Sequence, residues 1–305
     1  MHKSACIFEG TLLFCSKMAP PVVTRDPTSV EVEVQAAYLA MFPHGDRLFV
    51  PQVFGWAIDC FTGSYRDYQA VDARYHDFEH TLQGTLCMAR LLQGRYEAKA
   101  QPELTQRIVQ LGLLAILLHD TGYLKKRNDS EGTGAKYTVT HVERSAEFAA
   151  QLLTDKGFGP GEIKSVQNMI HCTGVDANLI AIPFQGEMEK IAGFALGTAD
   201  LLGQMAAEDY VDKLPILYSE FAEAVRYTKD RSHFIAAFSS AADLMQRTPM
   251  FWDKYVQRKM DRDFGSLYRY LNDPYPSGPN SYLERIEANM ARLRERISSS
   301  KAQTV

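Results

Sequence analysis

Residues 75–80 read YHDFEH, two histidines four apart with two acids between them. On a helix that spacing puts His76 and His80 on one face. A second stretch, LLHDTGYL at 117–124, ends an apolar run in an adjacent imidazole and carboxylate, His119–Asp120. Of the eight histidines, His76, His80, His119, His141 and His171 lie on or beside helical segments, whereas His2, His44 and His233 have no supporting chemistry around them. Asp200 falls inside FALGTADLLGQM, where a carboxylate is costly unless it is paired or bound to a cation. The chemistry-bearing series is therefore His80, His119–Asp120, His141, His171 and Asp200. Neutral imidazoles and carboxylates drawn from several helices suit divalent Fe, Mn, Zn, Mg or Ni better than thiophilic metals. A carboxylate can bridge two ions, so two metals are expected if the whole series is used.

The loop after the His119–Asp120 pair is basic. Lys125, Lys126, Arg127 and Lys136 could gather around a phosphate, and Arg144, close after His141, is a comparable candidate. Lys125, Lys136 and Arg144 are taken as the substrate-binding set. Gln204 and Met205, just past Asp200, are candidates to line the pocket. FWDKYV at 251–256 fits helix packing, and its tyrosine needs a hydrogen-bond partner if it is buried.

Helices must position these groups. SVEVEVQAAYLAMF opens the series, followed by a loop with Pro43 and Gly45, and helical periodicity dominates from about residue 76. Leu104, Ile108, Leu111, Ala115 and Leu118 step by three or four residues and mark one buried stripe. ERSAEFAAQLLTDKG stops at Gly157, a suitable C-terminal cap, and the next helix starts at Pro160. The last helix carries a narrow apolar seam of Tyr282, Ile286, Met290, Leu293 and Ile297, suited to packing on the body or on a partner subunit. No multi-strand sheet is suggested. The expected fold is all-α, with an irregular extension over 1–28, a helical metal-binding domain over 29–265 and a C-terminal helical extension over 266–305.

The bulk numbers fit this. The chain has 305 residues, 46% hydrophobic, with a net charge of −4, which argues against a nucleic-acid polymer or an acidic membrane as partner. No apolar run approaches the roughly 18 residues of a membrane span. The five cysteines are scattered with no CxxC pair, so a disulfide framework is not expected and a reducing cytoplasm is the default. IFEGTLLFC near the N-terminus is interrupted by Glu9, and Met18 is a candidate start.

With YHDFEH, LLHDTGY and TAD around it, the series resembles the HD-domain metal-dependent phosphohydrolase superfamily over residues 80–200, with helical resemblance to about 265. YHDFEH is also similar to the YHNxxH signature of cyclic nucleotide phosphodiesterases. The resemblance implies an HD-type bundle with His80, His119, Asp120 and Asp200 as ligands of one metal. It implies Asp120 as the bridge to a second metal completed by His141 and His171, and His76 as donor of a proton to the leaving oxygen. There are departures: Asp77 replaces the phosphodiesterase asparagine, HDTGY lacks their DHPG continuation, and no purine-selective glutamine is matched. Tyr123 replaces the HDxGK lysine of the HD-GYP branch. The implied function is hydrolysis of a phosphoester, a cyclic or linear nucleotide being the expected substrate class, with His76 and Asp120 catalytic. A di-iron HD-domain oxygenase and a non-catalytic nucleotide-sensing module are the alternatives, and a homodimer through the C-terminal helix is the expected assembly.

Overall fold

The computed structural model describes residues 22–174, 176–228 and 234–302. Helix α1, Pro27–Met41, starts where Asp26 accepts hydrogen bonds from the backbone of Thr28 and Ser29, with Pro27 in the first turn. Its buried residues Val30, Val34, Ala37, Tyr38 and Met41 follow the helical period. Helix α2, Phe49–Phe61, lies where the sequence reading placed no helix. Pro51 stands in its first turn, where no intrahelical N–H is needed, so the proline is compatible with a helix start.

Helix α3, Phe78–Glu97, is capped by Asp77, whose carboxylate accepts from the His80 backbone N–H at 2.9 Å. The residue that departs from the phosphodiesterase signature therefore has a local structural role. Helix α4, Gln106–Leu118, is capped by Thr105 and buried along most of its length. Helices α5 (His141–Asp155) and α6 (Pro160–Ile170) follow, separated at Gly157, which adopts φ +80°. They lead to α7 (Glu187–Met205) and α8 (Tyr210–Tyr227). Helix α9 (Ala241–Phe251) runs into π-helical turns, and α10 (Ser281–Ala302) closes the chain. Among the described residues there are ten α-helices and no β-strand, so the fold is all-α.

Helix α3 is central, packing against α7, α1 and α4, and α4 in turn packs on α6 and α7. At the α3–α7 crossing a Cβ added to Gly203 would come within 2.8 Å of the backbone of Gln83 and Gly84. Glycine there lets the two helices approach closely. Helix α10 uses its seam inside the chain: Tyr282, Ile286, Met290 and Leu293 join the main core. Asn289 Nδ2 donates to the carbonyls of Met205 and Ala207, tying α10 to the end of α7. The surface that motivated a dimer is thus taken up by the body. Cys60, Cys87 and Cys172 are free and buried. None of the described helices is long and apolar enough to cross a membrane.

Candidate metal centre

Four side chains converge at the middle of the bundle because buried helices deliver them there. His80 is in the first turn of α3, His119 follows the last residue of α4, Asp120 comes next, and Asp200 is on α7. His80 Nε2 lies 3.2 Å from Asp120 Oδ2 and 3.3 Å from Asp200 Oδ1. His119 Nε2 lies 3.3 Å and 3.5 Å from the same two oxygens. His80, His119 and Asp120 are at most 4% exposed.

The tautomer of His119 follows from its neighbour. Nδ1 stands 2.7 Å from the Ile116 carbonyl oxygen, which can only accept, so Nδ1 carries a proton and Nε2 is the ring nitrogen turned to the carboxylates, which raise the pKa of the metal-free ring against its burial. That Nε2 and Asp120 Oδ2 are both buried without a hydrogen-bond partner. Polar atoms left so in a protein interior are rare and costly. Donor atoms bound about 2.1 Å from one ion stand about 3.0–3.4 Å apart, close to the observed separations. His80, His119 and Asp120 therefore form a buried group that can hold a metal ion, with Asp200 beside it.

Electrostatics support the grouping. Burial opposes the charged form of His80, but Asp120 and Asp200 outweigh it and raise its pKa to about 10. Burial likewise opposes ionisation of both carboxylates. The adjoining imidazoles nevertheless hold Asp120 and Asp200 well below the usual carboxylate range. Gln204 Nε2 donates to Asp200 Oδ1 at 3.3 Å, while its carbonyl accepts from Tyr75 at 2.8 Å. Such hydrogen bonds fix the orientation of a ligand carboxylate.

The remaining histidines differ from one another. His141 donates through Nδ1 to the Thr138 carbonyl at 2.6 Å, leaving Nε2 at 3.9 Å from Asp120 Oδ1. Burial lowers its pKa and keeps it neutral. Asp120 thus turns Oδ2 to His80 and His119 and Oδ1 to His141. His171 sits at the end of α6 with Nε2 3.0 Å from Glu143 Oε2, more exposed than the others, on the wall of the same cavity. The structure brings His80, His119, Asp120 and Asp200 together tightly, His141 more loosely, and pairs His171 with Glu143.

His76 is oriented by a residue that sequence reasoning missed. Its Nδ1 is 2.6 Å from Glu220 Oε2, and Glu220 Oε1 accepts from the backbone N–H groups of Arg74 and Tyr75. Glu220 is 4% exposed; despite that burial, His76 holds its carboxyl below the ordinary value. The ring of His76 stacks on Tyr123, which stacks in turn on His141, with centroids 4.5 and 4.8 Å apart. The signal for Glu220 was its place in the Leu217, Phe221, Ala224 stripe of α8, where an unpaired acid would be costly.

The three basic residues expected to bind substrate do not line the cavity. Lys125 is buried, with Nζ 2.8 Å from Asp72 Oδ2 and 2.6 Å from the Gly132 carbonyl. Lys136 pairs with Asp129 and donates to the Glu131 carbonyl. Arg144 donates to the carbonyls of Gly122 and Leu124 and lies 3.5 Å over the Tyr137 ring. Their charges brace the loop that follows His119–Asp120, because nearby carbonyls and acids satisfy them first.

The cavity has a volume of about 600 Å³, and its wall includes His76, His80, Asp120, His141, His171 and Asp200. Gln204 and Met205 line it, as expected, and so do Phe251 and Tyr255 of FWDKYV. Tyr255 has the partner it requires, accepting from Lys259 Nζ at 3.0 Å. His2 and His233 lie outside the described residues.

A family model described as Npun_R2479-like matches residues 34–272, and the chain belongs to that family. The matched span runs from α1 to just short of α10 and holds every residue of the cluster. No curated protein matches the chain.

Proposed function

We propose that the protein is a metal-dependent phosphohydrolase whose centre is built on His80, His119, Asp120 and Asp200, with His141 and His171 available to a second ion. The observation that carries this reading is the pair of buried, unmatched donor atoms, His119 Nε2 and Asp120 Oδ2, at a cavity that His76 also lines. A divalent cation at these residues would act as a Lewis acid and lower the pKa of a bound water towards neutrality.

The chain's own residues supply the rest. The Ile116 carbonyl fixes the His119 ring, and Gln204 fixes Asp200, so the donor set is held before any ion arrives. Glu220 holds the Nδ1 proton of His76, which leaves Nε2 as the atom that gives a proton to a departing alkoxide. Stacking on Tyr123 restricts the tilt of that ring. A nucleotide is the substrate class that the HD-domain resemblance suggests.

A second reading draws on the apolar lining of the cavity, which suits oxidation of an unactivated C–H bond at an iron centre. Chelator-stripped protein reloaded separately with Mn²⁺, Mg²⁺, Zn²⁺, Ni²⁺ and Fe²⁺, then assayed for phosphate release from cyclic nucleotides, linear nucleotides and simple phosphoesters, separates the two. Metal-dependent release that is lost in Asp120→Asn is the expected result. Oxygen consumption with Fe²⁺ and no phosphate release from any ester would replace the first reading with the second.

A further inference from the structure

The cavity beside the ligand cluster is poorly matched to a nucleotide. Leu214, Leu217 and Phe221 of α8, Phe234 and Phe238 from the segment before α9, and Leu244 of α9 form one wall of it. Phe221, Phe234 and Phe238 pack on one another with centroids 5.7–6.3 Å apart, and belong to an apolar cluster separate from the main core. The cationic residues on the lining are Lys164, Arg247 and Lys259. Lys164 and Arg247 are exposed, Arg247 is 2.7 Å from Asp243 on its own helix, and Lys259 donates to Tyr255. Of the amides on the lining, Gln204 is committed to Tyr75 and Asp200, and Asn178 is exposed.

A nucleobase brings several hydrogen-bonding edge atoms, and burying them against leucine and phenylalanine without partners costs binding energy. A polyphosphate would need more cations than the interior offers. An alkyl or aryl group has neither demand, and each methylene moved from water into such a wall strengthens binding.

We infer that the substrate of this site is a phosphoester of an apolar alcohol, its phosphoryl group at the His80–His119–Asp120–Asp200 cluster and its hydrocarbon along Leu214, Leu217, Phe221, Phe234 and Phe238. The inference rests on the phosphohydrolase reading for the phosphoryl end, and on the lining alone for the hydrocarbon end.

The test is calorimetric titration of the full chain, Mn²⁺-loaded and chelator-treated, with ethyl, hexyl and decyl phosphate below their micelle concentrations and with adenosine monophosphate. Affinity is expected to rise at least about tenfold from ethyl to hexyl and again from hexyl to decyl phosphate. The gain with chain length should persist in the chelator-treated protein. Decyl phosphate should outbind adenosine monophosphate, and Leu217→Gln should weaken decyl phosphate about fivefold more than ethyl phosphate. If that variant fails to fold, the native series decides alone. Equal affinity along the series, no binding of any alkyl phosphate, or tighter binding of the nucleotide overturns the inference. Phosphate release measured on the same samples reports separately on hydrolysis. Length-dependent binding without release would sink the phosphohydrolase reading and leave the apolar site standing. Release with no dependence on length would do the reverse.

Discussion

Lys125 donates to Asp72 and Gly132, and Arg144 to the carbonyls of Gly122 and Leu124. A few residues away in sequence, His119 and Asp120 leave Nε2 and Oδ2 buried with no hydrogen-bond partner. Both groups are charged or polar and flank one short turn, yet the first makes well-formed hydrogen bonds and the second only ion-pair contacts at 3.2–3.5 Å. Long flexible side chains let these cations find carbonyls and carboxylates nearby. Rigid buried helices hold imidazole and carboxylate atoms where they cannot relax towards partners, which is the condition a metal ligand needs. Unsatisfied donor atoms on rigid elements are therefore a stronger mark of function here than a run of positive charge.

The contrast can be broken from either side. Asp120→Asn should reduce Mn²⁺ affinity by about a thousandfold, since it removes a charged ligand from the centre of the set; calorimetry reads this, and near-native affinity would make the cluster an ion-pair core instead. Lys125→Met should leave metal affinity unchanged while lowering stability by about 2 kcal/mol in urea unfolding, less than a fully buried pair because Asp72 is partly exposed. A rise in KM with no loss of stability would return Lys125 to the substrate.

The pH dependence sharpens the same contrast. In the metal-free protein Asp120 and Asp200 raise His80 to about 10. Its stabilising contribution is therefore complete below the ordinary histidine value and lost as pH rises through about 10. Metal requires the neutral ring, so uptake releases a proton, and between pH 7 and 9 affinity should climb up to about tenfold per unit. Metal-free stability and metal affinity thus move in opposite directions, which thermal melts with and without Mn²⁺ at each pH can follow. A metal-induced shift in Tm independent of pH would contradict this. The smallest expected change is for Glu220→Gln, about a tenfold fall in kcat through a misoriented His76 with metal content unchanged. Loss of the metal together with activity would show that Glu220 supports the fold of the centre instead of the proton donor.

The helical fold was legible because apolar residues recur at three- and four-residue steps, and the buried His/Asp cluster because His119–Asp120 and Asp200 interrupt such runs. Helix α2 escaped notice because Pro51 reads as a breaker unless it is placed in a first turn. Glu220 was hidden by its partner, since only the fold brings α8 against His76. The same limit applied to Lys125, Lys136 and Arg144, since only the fold brings Asp72, Asp129 and the backbone carbonyls that hold them into reach. The seam of α10 could serve the body or a second subunit, and Tyr282, Ile286 and Met290 are buried within the chain itself.

The most direct test is metal content. Protein stripped by chelator, reloaded with Mn²⁺, Fe²⁺, Zn²⁺, Ni²⁺ or Mg²⁺ and desalted should retain at least one ion per chain for one or more of these metals, with a higher Tm. No ion retained and no change in Tm with any of them would contradict a metal centre at His80, His119, Asp120 and Asp200.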